Sequence, residues 1–382
     1  MATYQRLGDY IREVNVRNRE LKVTKPSGIN IDKYFMPSVA NVIGTDLSVY
    51  KLVTKMQFAC NLMHVGRDEK IPMAMHLDDT PIIVSPAYFV FEIVEPDVLL
   101  PEYLMMWFRR PEFDRNAWFY TDADVRGGMD KNALLDMQFP IPSITLQREI
   151  VSEYETLANR IRLNNQMIQH LEATAQALYR KTFVDNIDKE NLPEGWRMGT
   201  IGEFCKEMKS GGTPSRNHKE YWDKKDYPWL KTGEVQNNVI IDVEEYISEE
   251  GMKNSSAKII PRGSVIMAMY GGGTVSNVAY LDCDTTTNQA CCNMICYSKQ
   301  DAAFLFFHLR YHQEDIKRLA NGGAQENLSQ ELIAQQPIFL FNDKEMKSLF
   351  VPILDNLIVM YKEKSKLTEL QSLLLAKMGQ KV

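Results

Sequence analysis

The richest concentration of side chains able to bind a ligand lies in KSGGTPSRNHKEYW (Lys209 to Trp222) and in the nearby DYPWLKTGEV (Asp226 to Val235). Gly211 and Gly212 are expected to expose backbone N–H groups, and Lys209, Thr213, Ser215, Arg216 and Lys231 add donors of the kind that meet phosphate oxygens. Tyr221, Trp222 and Trp229 set flat faces beside them. Such a loop can follow a DNA backbone and bring side chains to base edges. It is no nucleotide phosphate loop, because G-x-x-x-x-G-K-[ST] is missing. On composition alone, a polar loop anchored by aromatics is the plainer reading. Earlier in the chain, ACNLMHVGRDEKIP (Ala59 to Pro72) groups Asn61, His64 and Arg67 around a Gly turn. Asn suits adenine edges and Arg suits guanine edges. A catalytic His64 is the competing reading, but no nucleophile and acid accompany it. Arg126-Gly127-Gly128 and Gly322-Gly323 either meet phosphates or only turn the chain. Tyr270 and Thr274, around the Gly271-Gly272-Gly273 turn, complete the candidate contacts.

Signals for catalysis are few. The chain has no Gly-rich cofactor fingerprint, no Asn-Pro-Pro-Tyr-like tetrapeptide for amino methylation, no G-x-S-x-G and no H-E-x-x-H. Cys291, Cys292 and Cys296, with Cys283 nearby, raise a metal site, but they sit in a strand-like run without C-x-x-C pairing. Buried reduced thiols are the simpler assignment. The chain reads as recognising something and not transforming it.

Net charge is −6, which at face value argues against a nucleic-acid partner. Two local excesses of positive charge lie beneath that average. One runs from Met1 to Lys33 and includes Arg17, Arg19 and Lys22; the other runs from Lys206 to Lys231. A solvated face is their ordinary meaning. No run is long enough to span a bilayer and the first residues lack a signal-peptide pattern, so a cytoplasmic location is expected.

The elements that position these residues follow from length and period. A chain of 382 residues suggests two domains or more. From Thr145 to Phe183, Ile150, Leu157, Asn164, Leu171 and Leu178 recur every seven residues. Tyr154, Ile161, Ile168 and Ala175 form a second series offset by four. Interleaved series of this kind make a coiled-coil seam, in a rod roughly 55–60 Å long. Asn164 can fix register there. From Asp343 to Met378, Met346, Ile353, Met360, Leu367 and Leu374 repeat the spacing, beside Phe350, Leu357, Lys364 and Gln371. Pro352 either kinks this helix or starts it. An antiparallel pair is expected, against the blander alternative of two bundle helices.

Outside the rods lie two mixed segments. LGDYI (Leu7 to Ile11) parallels IGEFC (Ile201 to Cys205), and DKNALLDMQFPI (Asp130 to Ile141) parallels NLSQELIAQQPI (Asn327 to Ile338). The separation of roughly 194 to 197 residues points to one internal duplication with diverged middles. Single strands are expected over 82–94, 239–247 and 264–270, and helices over 101–113 and 301–320. The predicted layout is α/β (α+β): a first recognition segment over 1–144, a helix over 145–184, a second segment over 185–341 and a helix over 342–382.

Module, long helix, LPEGW (Leu192 to Trp196), SGGTPSR…YW…PWLKTGE, module and terminal helix: that order resembles the specificity (S) subunit of type I restriction–modification systems, over essentially the whole chain. MAMYGG…TTNQACC (Met267 to Cys292) and PIPSITLQREIV (Pro140 to Val151) carry the same likeness. The resemblance implies two target recognition domains, each reading one half of a split site in double-stranded DNA, held apart by antiparallel helices. Two methyltransferase (M) subunits would dock on those helices, along Leu157, Ile161, Ile168, Leu171, Leu178, Ile353, Leu357, Met360, Leu367 and Leu374. The M subunits would carry S-adenosylmethionine and the adenine-N6 chemistry. Restriction (R) subunits can join, and this chain would hold no cofactor or metal. Where the family often shows a Gly-Lys pair, this chain has Ser276-Asn277. The rivals are a specificity subunit of a fused restriction–methylation enzyme, a protein-scaffolding adaptor and, from outside, a hydrolase or methyltransferase.

Overall fold

The seven-residue stripe does form one long helix. In a computed structural model, which describes residues 4–38, 44–63, 65–121, 127–188, 190–271, 273–320 and 327–378, it runs without a break over Ile144–Arg180. It closes in a wider π turn over Lys181–Asp185. At 1.5 Å per residue its length is about 55 Å. The second rod is divided: a short helix over Lys344–Ser348, capped by the Asp343 carboxylate, precedes a long one over Val351–Met378. Pro352 thus falls in a first helical turn, where its missing N–H costs nothing.

The chain folds as two compact units, residues 1–160 with 367–382, and residues 161–366. In the first, Ile150, Val151 and Tyr154 of the central helix share a hydrophobic cluster with Leu375 and Met378 of the last one. In the second, Ile168, Ala175 and Tyr179 share a cluster with Phe350, Leu354, Leu357 and Ile358. Early turns of one helix therefore meet late turns of the other, the order of an antiparallel pair. Leu354, Ile358 and Tyr361 join the seam from outside the expected series of sevens. Asn164 is buried in the stripe, and its Nδ2 has no hydrogen-bond partner among the described residues.

Each unit repeats one strand frame. In the first, Tyr4–Arg6 pairs antiparallel with Gln138–Pro140; in the second, Arg197–Thr200 pairs antiparallel with Pro337–Leu340. The first unit's main sheet has the order Ile11–Glu13, Phe89–Ile93, Phe58–Cys60, Met73–Met75. The second unit's runs Glu207–Ser210, Cys291–Ile295, Val265–Ala268, Val278–Leu281, then Asn238–Ile240 as a fifth strand. The duplication thus extends into the middles, where side chains have diverged but pairing has not. Helices over Pro101–Phe108 and Lys299–Tyr311 occupy equivalent places and bury Tyr103, Phe108, Phe304 and Phe307.

Several expected elements are each two. The run 82–94 is divided at Pro86 into Ile82–Val84 and Phe89–Ile93, which lie in different sheets. The helix expected over 101–113 stops at Phe108, and Pro111 opens another over Pro111–Phe119, because proline cannot supply the N–H an unbroken helix needs there. The run 239–247 yields Asn238–Ile240 and Glu245–Ile247, again in separate sheets. The helix over 301–320 is Lys299–Tyr311 followed by Gln313–Lys317, and the strand over 264–270 is Val265–Ala268. Short proline-punctuated segments satisfy local backbone geometry, and period alone misses their ends.

Candidate nucleic-acid interface

In the second unit, the glycine loop is built against the strand Thr286–Thr287. Both glycines are buried. A Cβ on Gly211 would lie 2.1 Å from the Thr287 carbonyl oxygen, and one on Gly212 would lie 2.3 Å from Ser256 Oγ. The Gly212 N–H donates to the Thr287 carbonyl at 2.8 Å, and its own carbonyl accepts from Trp229 Nε1 at 2.9 Å. This corrects the expectation that the pair presents donors to a ligand: the glycines permit close backbone approach, and the Gly212 donor is already used. Asn293 reinforces the contact, its buried Nδ2 donating to the Lys209 carbonyl at 3.0 Å and to Thr287 Oγ1 at 2.9 Å.

What the loop presents outward is Thr213, Ser215 and Arg216, all exposed. Thr213 Oγ1 donates to Gln289 Oε1. The Arg216 guanidinium lies 3.5 Å from the centre of the Trp222 ring and 5.0 Å from that of Trp229, with a 2.7 Å ion pair to Glu245. Trp222 is fixed by donating its Nε1–H to the Ser215 carbonyl at 3.2 Å. Lys231 Nζ is 2.9 Å from both Glu244 and Glu245, and these two carboxylates raise its pKa. Burial pushes the Glu245 carboxyl upward, but its bonds to Lys231 and Arg216 outweigh that and hold it below the usual range. Glu234 is raised, chiefly by burial, while it accepts the N–H groups of Lys231 and Glu244. Asn288 Nδ2 reaches Thr232 Oγ1 at 3.4 Å, bringing the 231–234 turn beside the same loop.

Tyr270 is half-buried, bridged to Asn327, and its hydroxyl pKa is raised by burial. Thr274 is 8% exposed, with Oγ1 turned to the Gly271 carbonyl at 3.5 Å, so as placed it is a turn residue and not a surface contact. Ser276 has φ of 68°, a left-handed conformation in which glycine is unstrained. Asn277 Nδ2 donates to the Val235 carbonyl at 3.0 Å and so ties this turn to the 231–235 turn.

In the first unit, Asn61 Oδ1 accepts the Met63 N–H at 3.0 Å, and Arg67 makes a two-point pair with Asp68 at 2.7 and 3.0 Å. Gly66 and Gly127 pack backbone to backbone, the Gly66 N–H donating to the Gly127 carbonyl at 2.7 Å. The same loop closure occurs in both units: Met129 N–H to the Leu62 carbonyl at 2.9 Å, and Leu328 N–H to the Met269 carbonyl at 2.7 Å. Arg17 donates to the Val49 carbonyl at 2.5 Å, Lys22 pairs with Glu20, and Arg19 is exposed. Lys209 pairs with Glu207 at 3.1 Å. His64, Arg126, Gly272, Gly322 and Gly323 lie outside the described residues.

On the helices, the ten residues expected to carry docking are buried or half-buried, most of them turned into the chain's own seam. The apolar side chains left exposed are Leu163 and Met167 on the central helix, and Val359, Leu370 and Leu373 on the last one. Cys291 and Cys292, adjacent in one strand, are buried in different clusters, and burial raises both thiols. Among the described residues, no group of three or more His, Cys, Asp or Glu could hold a metal ion, and no helix is long and apolar enough to cross a membrane.

A strand frame used twice, each copy closing on a polar loop cluster and leading into a long helix, defines a protein built from one repeated fold. A family model described as the type I restriction modification DNA specificity domain matches residues 193–371. The chain is 25% identical to the type I restriction enzyme HindI specificity subunit of Haemophilus influenzae, over 91% of each chain. It is 27% identical to the EcoR124I/EcoR124II specificity subunit of Escherichia coli, over 44% of this chain and 41% of that one. Its fold is similar to the crystal structure of a type I restriction–modification S subunit from M. genitalium, with a TM-score of 0.57, 15% identity and coverage of 99% and 96% of the two chains. Over residues 193–371 the chain thus resembles the DNA specificity domain of type I restriction–modification systems, and its likeness to a specificity subunit extends along most of its length.

Sequence reasoning passed over Glu244, Glu245, Asn288 and Gln289. The last two stand inside the TTNQACC stretch, so they were within reach of a motif reading. The two glutamates carried no signal, because their partners are fixed only by the pairing of Trp229 with Glu245 across two strands.

Proposed function

We propose that each of the two modules, over 1–144 and 185–341, reads one half of a split site in double-stranded DNA. The helices over 145–184 and 342–382 set the distance between the halves and carry two M subunits. Recognition is this chain's share of the work. S-adenosylmethionine and adenine-N6 transfer belong to the M subunits, R subunits can join the complex, and the assembly works in the cytoplasm. The observation that carries the reading is the repeated strand order with unlike loops: one frame, two surfaces. Asn61, Arg67, Thr213, Ser215 and Arg216 are proposed to meet bases, while Arg17, Arg19, Lys22, Arg126, Lys209, Lys231 and Tyr270 face the backbone. Exposed Leu163, Met167, Leu370 and Leu373 fit subunit docking better than the seam residues, which are already covered.

The test is adenine methylation mapped across a genome, with the M subunit expressed alone and together with this chain. A new two-part methylated sequence is expected when both are present. An unchanged methylation map sinks the reading.

A further inference from the structure

Most cations in the proposed interface are already partnered by the chain itself, and Arg216 is held from two directions. Trp222 lies against its face at 3.5 Å, and Glu245 takes one edge at 2.7 Å. Glu245 is itself fixed: it sits on the strand Glu245–Ile247, opposite Trp229, and its other oxygen meets Lys231 at 2.9 Å. A lysine or arginine that only neutralises phosphate needs no such frame, because a mobile point charge serves as well. Rigid support matters for planar two-point recognition, in which a displaced guanidinium loses both bonds. Arg216 keeps an exposure of 51%, and a guanidinium has five N–H donors, so the edge away from Glu245 can meet a guanine O6 and N7.

Resting on the DNA-reading function proposed above, we infer that Glu245 and Trp222 are positioning residues that hold Arg216 to read one guanine of the second half-site. Glu245 also withholds Arg216 and Lys231 from indiscriminate phosphate contact. Replacing it then lowers the preference for the correct base while leaving or raising affinity for unrelated duplex.

The experiment selects bound sequences from a randomised duplex library, using the full chain in complex with its M subunit. The proteins compared are wild type, R216A, R216K, E245Q, W222A and, as a control for losing an exposed ion pair elsewhere in the unit, E203Q. R216A and R216K are both expected to lose roughly ten- to hundredfold preference at a single position. E245Q and W222A relax that same position, E203Q relaxes none, and R216K keeps the wild-type salt slope. If W222A does not fold, E245Q carries the comparison alone. The inference is overturned if R216K retains the preference, if E245Q leaves it intact, or if all positions weaken together as they would after simple destabilisation. A wild-type complex that enriches no sequence at all overturns the DNA-reading function itself, a result separate from these.

Discussion

At the scale of single residues, the loop Lys209 to Trp222 shows how one stretch divides between scaffold and surface. Gly211 and Gly212 are spent on close packing against Thr287 and Ser256, and that packing turns Thr213 and Arg216 outward. Substituting G211A puts a methyl group 2.1 Å from a carbonyl oxygen that belongs to a strand and cannot swing away. A loss of about 2–4 kcal/mol in unfolding free energy is expected, read from denaturant midpoints, with DNA binding falling alongside it. The charged residues were legible as types but not as states. Lys209, Arg216, Lys231 and Arg67 all carry carboxylate partners, so what each offers a ligand depends on the glutamate or aspartate it already holds.

Among elements, the helix Lys299–Tyr311 joins the second module to the central helix through a buried polar contact. Tyr179 Oη lies 2.6 Å from His308 Nδ1. Burial, with His312 nearby, pushes the His308 pKa from 6.5 down to about 3. The native imidazole thus stays neutral where an unfolded chain would bind a proton. The folded state accordingly loses stability as pH falls below about 6.5, and the loss continues towards pH 3. Denaturant midpoints measured from pH 7 to 4.5 are expected to decline in the wild type. In H308Q, which keeps a polar partner for Tyr179 but cannot titrate, that part of the slope disappears. Unchanged slopes in the two proteins would show that His308 contributes nothing to the acid limb.

For the molecule as a whole, the central question is how far apart two readers act. If the paired helices set that distance, a matched seven-residue insertion in both, preserving the seam, lengthens each by about 10 Å. At about 3.4 Å per base pair, the two halves of the methylated site should then separate by about three base pairs, with neither half changed. Methylation mapping of the lengthened protein reads this directly. A spacer that stays the same length would remove the helices from that role.

How much was readable in advance depended on the range of the interaction. Period alone revealed the helix over Ile144–Arg180, because a seam every seven residues is a local property of a rod. Spaced echoes such as LGDYI and IGEFC revealed the duplication, because equivalent turns demand similar residues. Tertiary structure alone decided that the glycines face inward, that Glu245 stands behind Arg216, and that the diverged middles share one strand order. Those outcomes depend on which strands become neighbours: Trp229 meets Glu245 and Gly212 meets Thr287 only after segments far apart in the chain have paired. Local sequence encodes what a segment can become. Its partners, and therefore its charge and exposure, are set by the whole sheet.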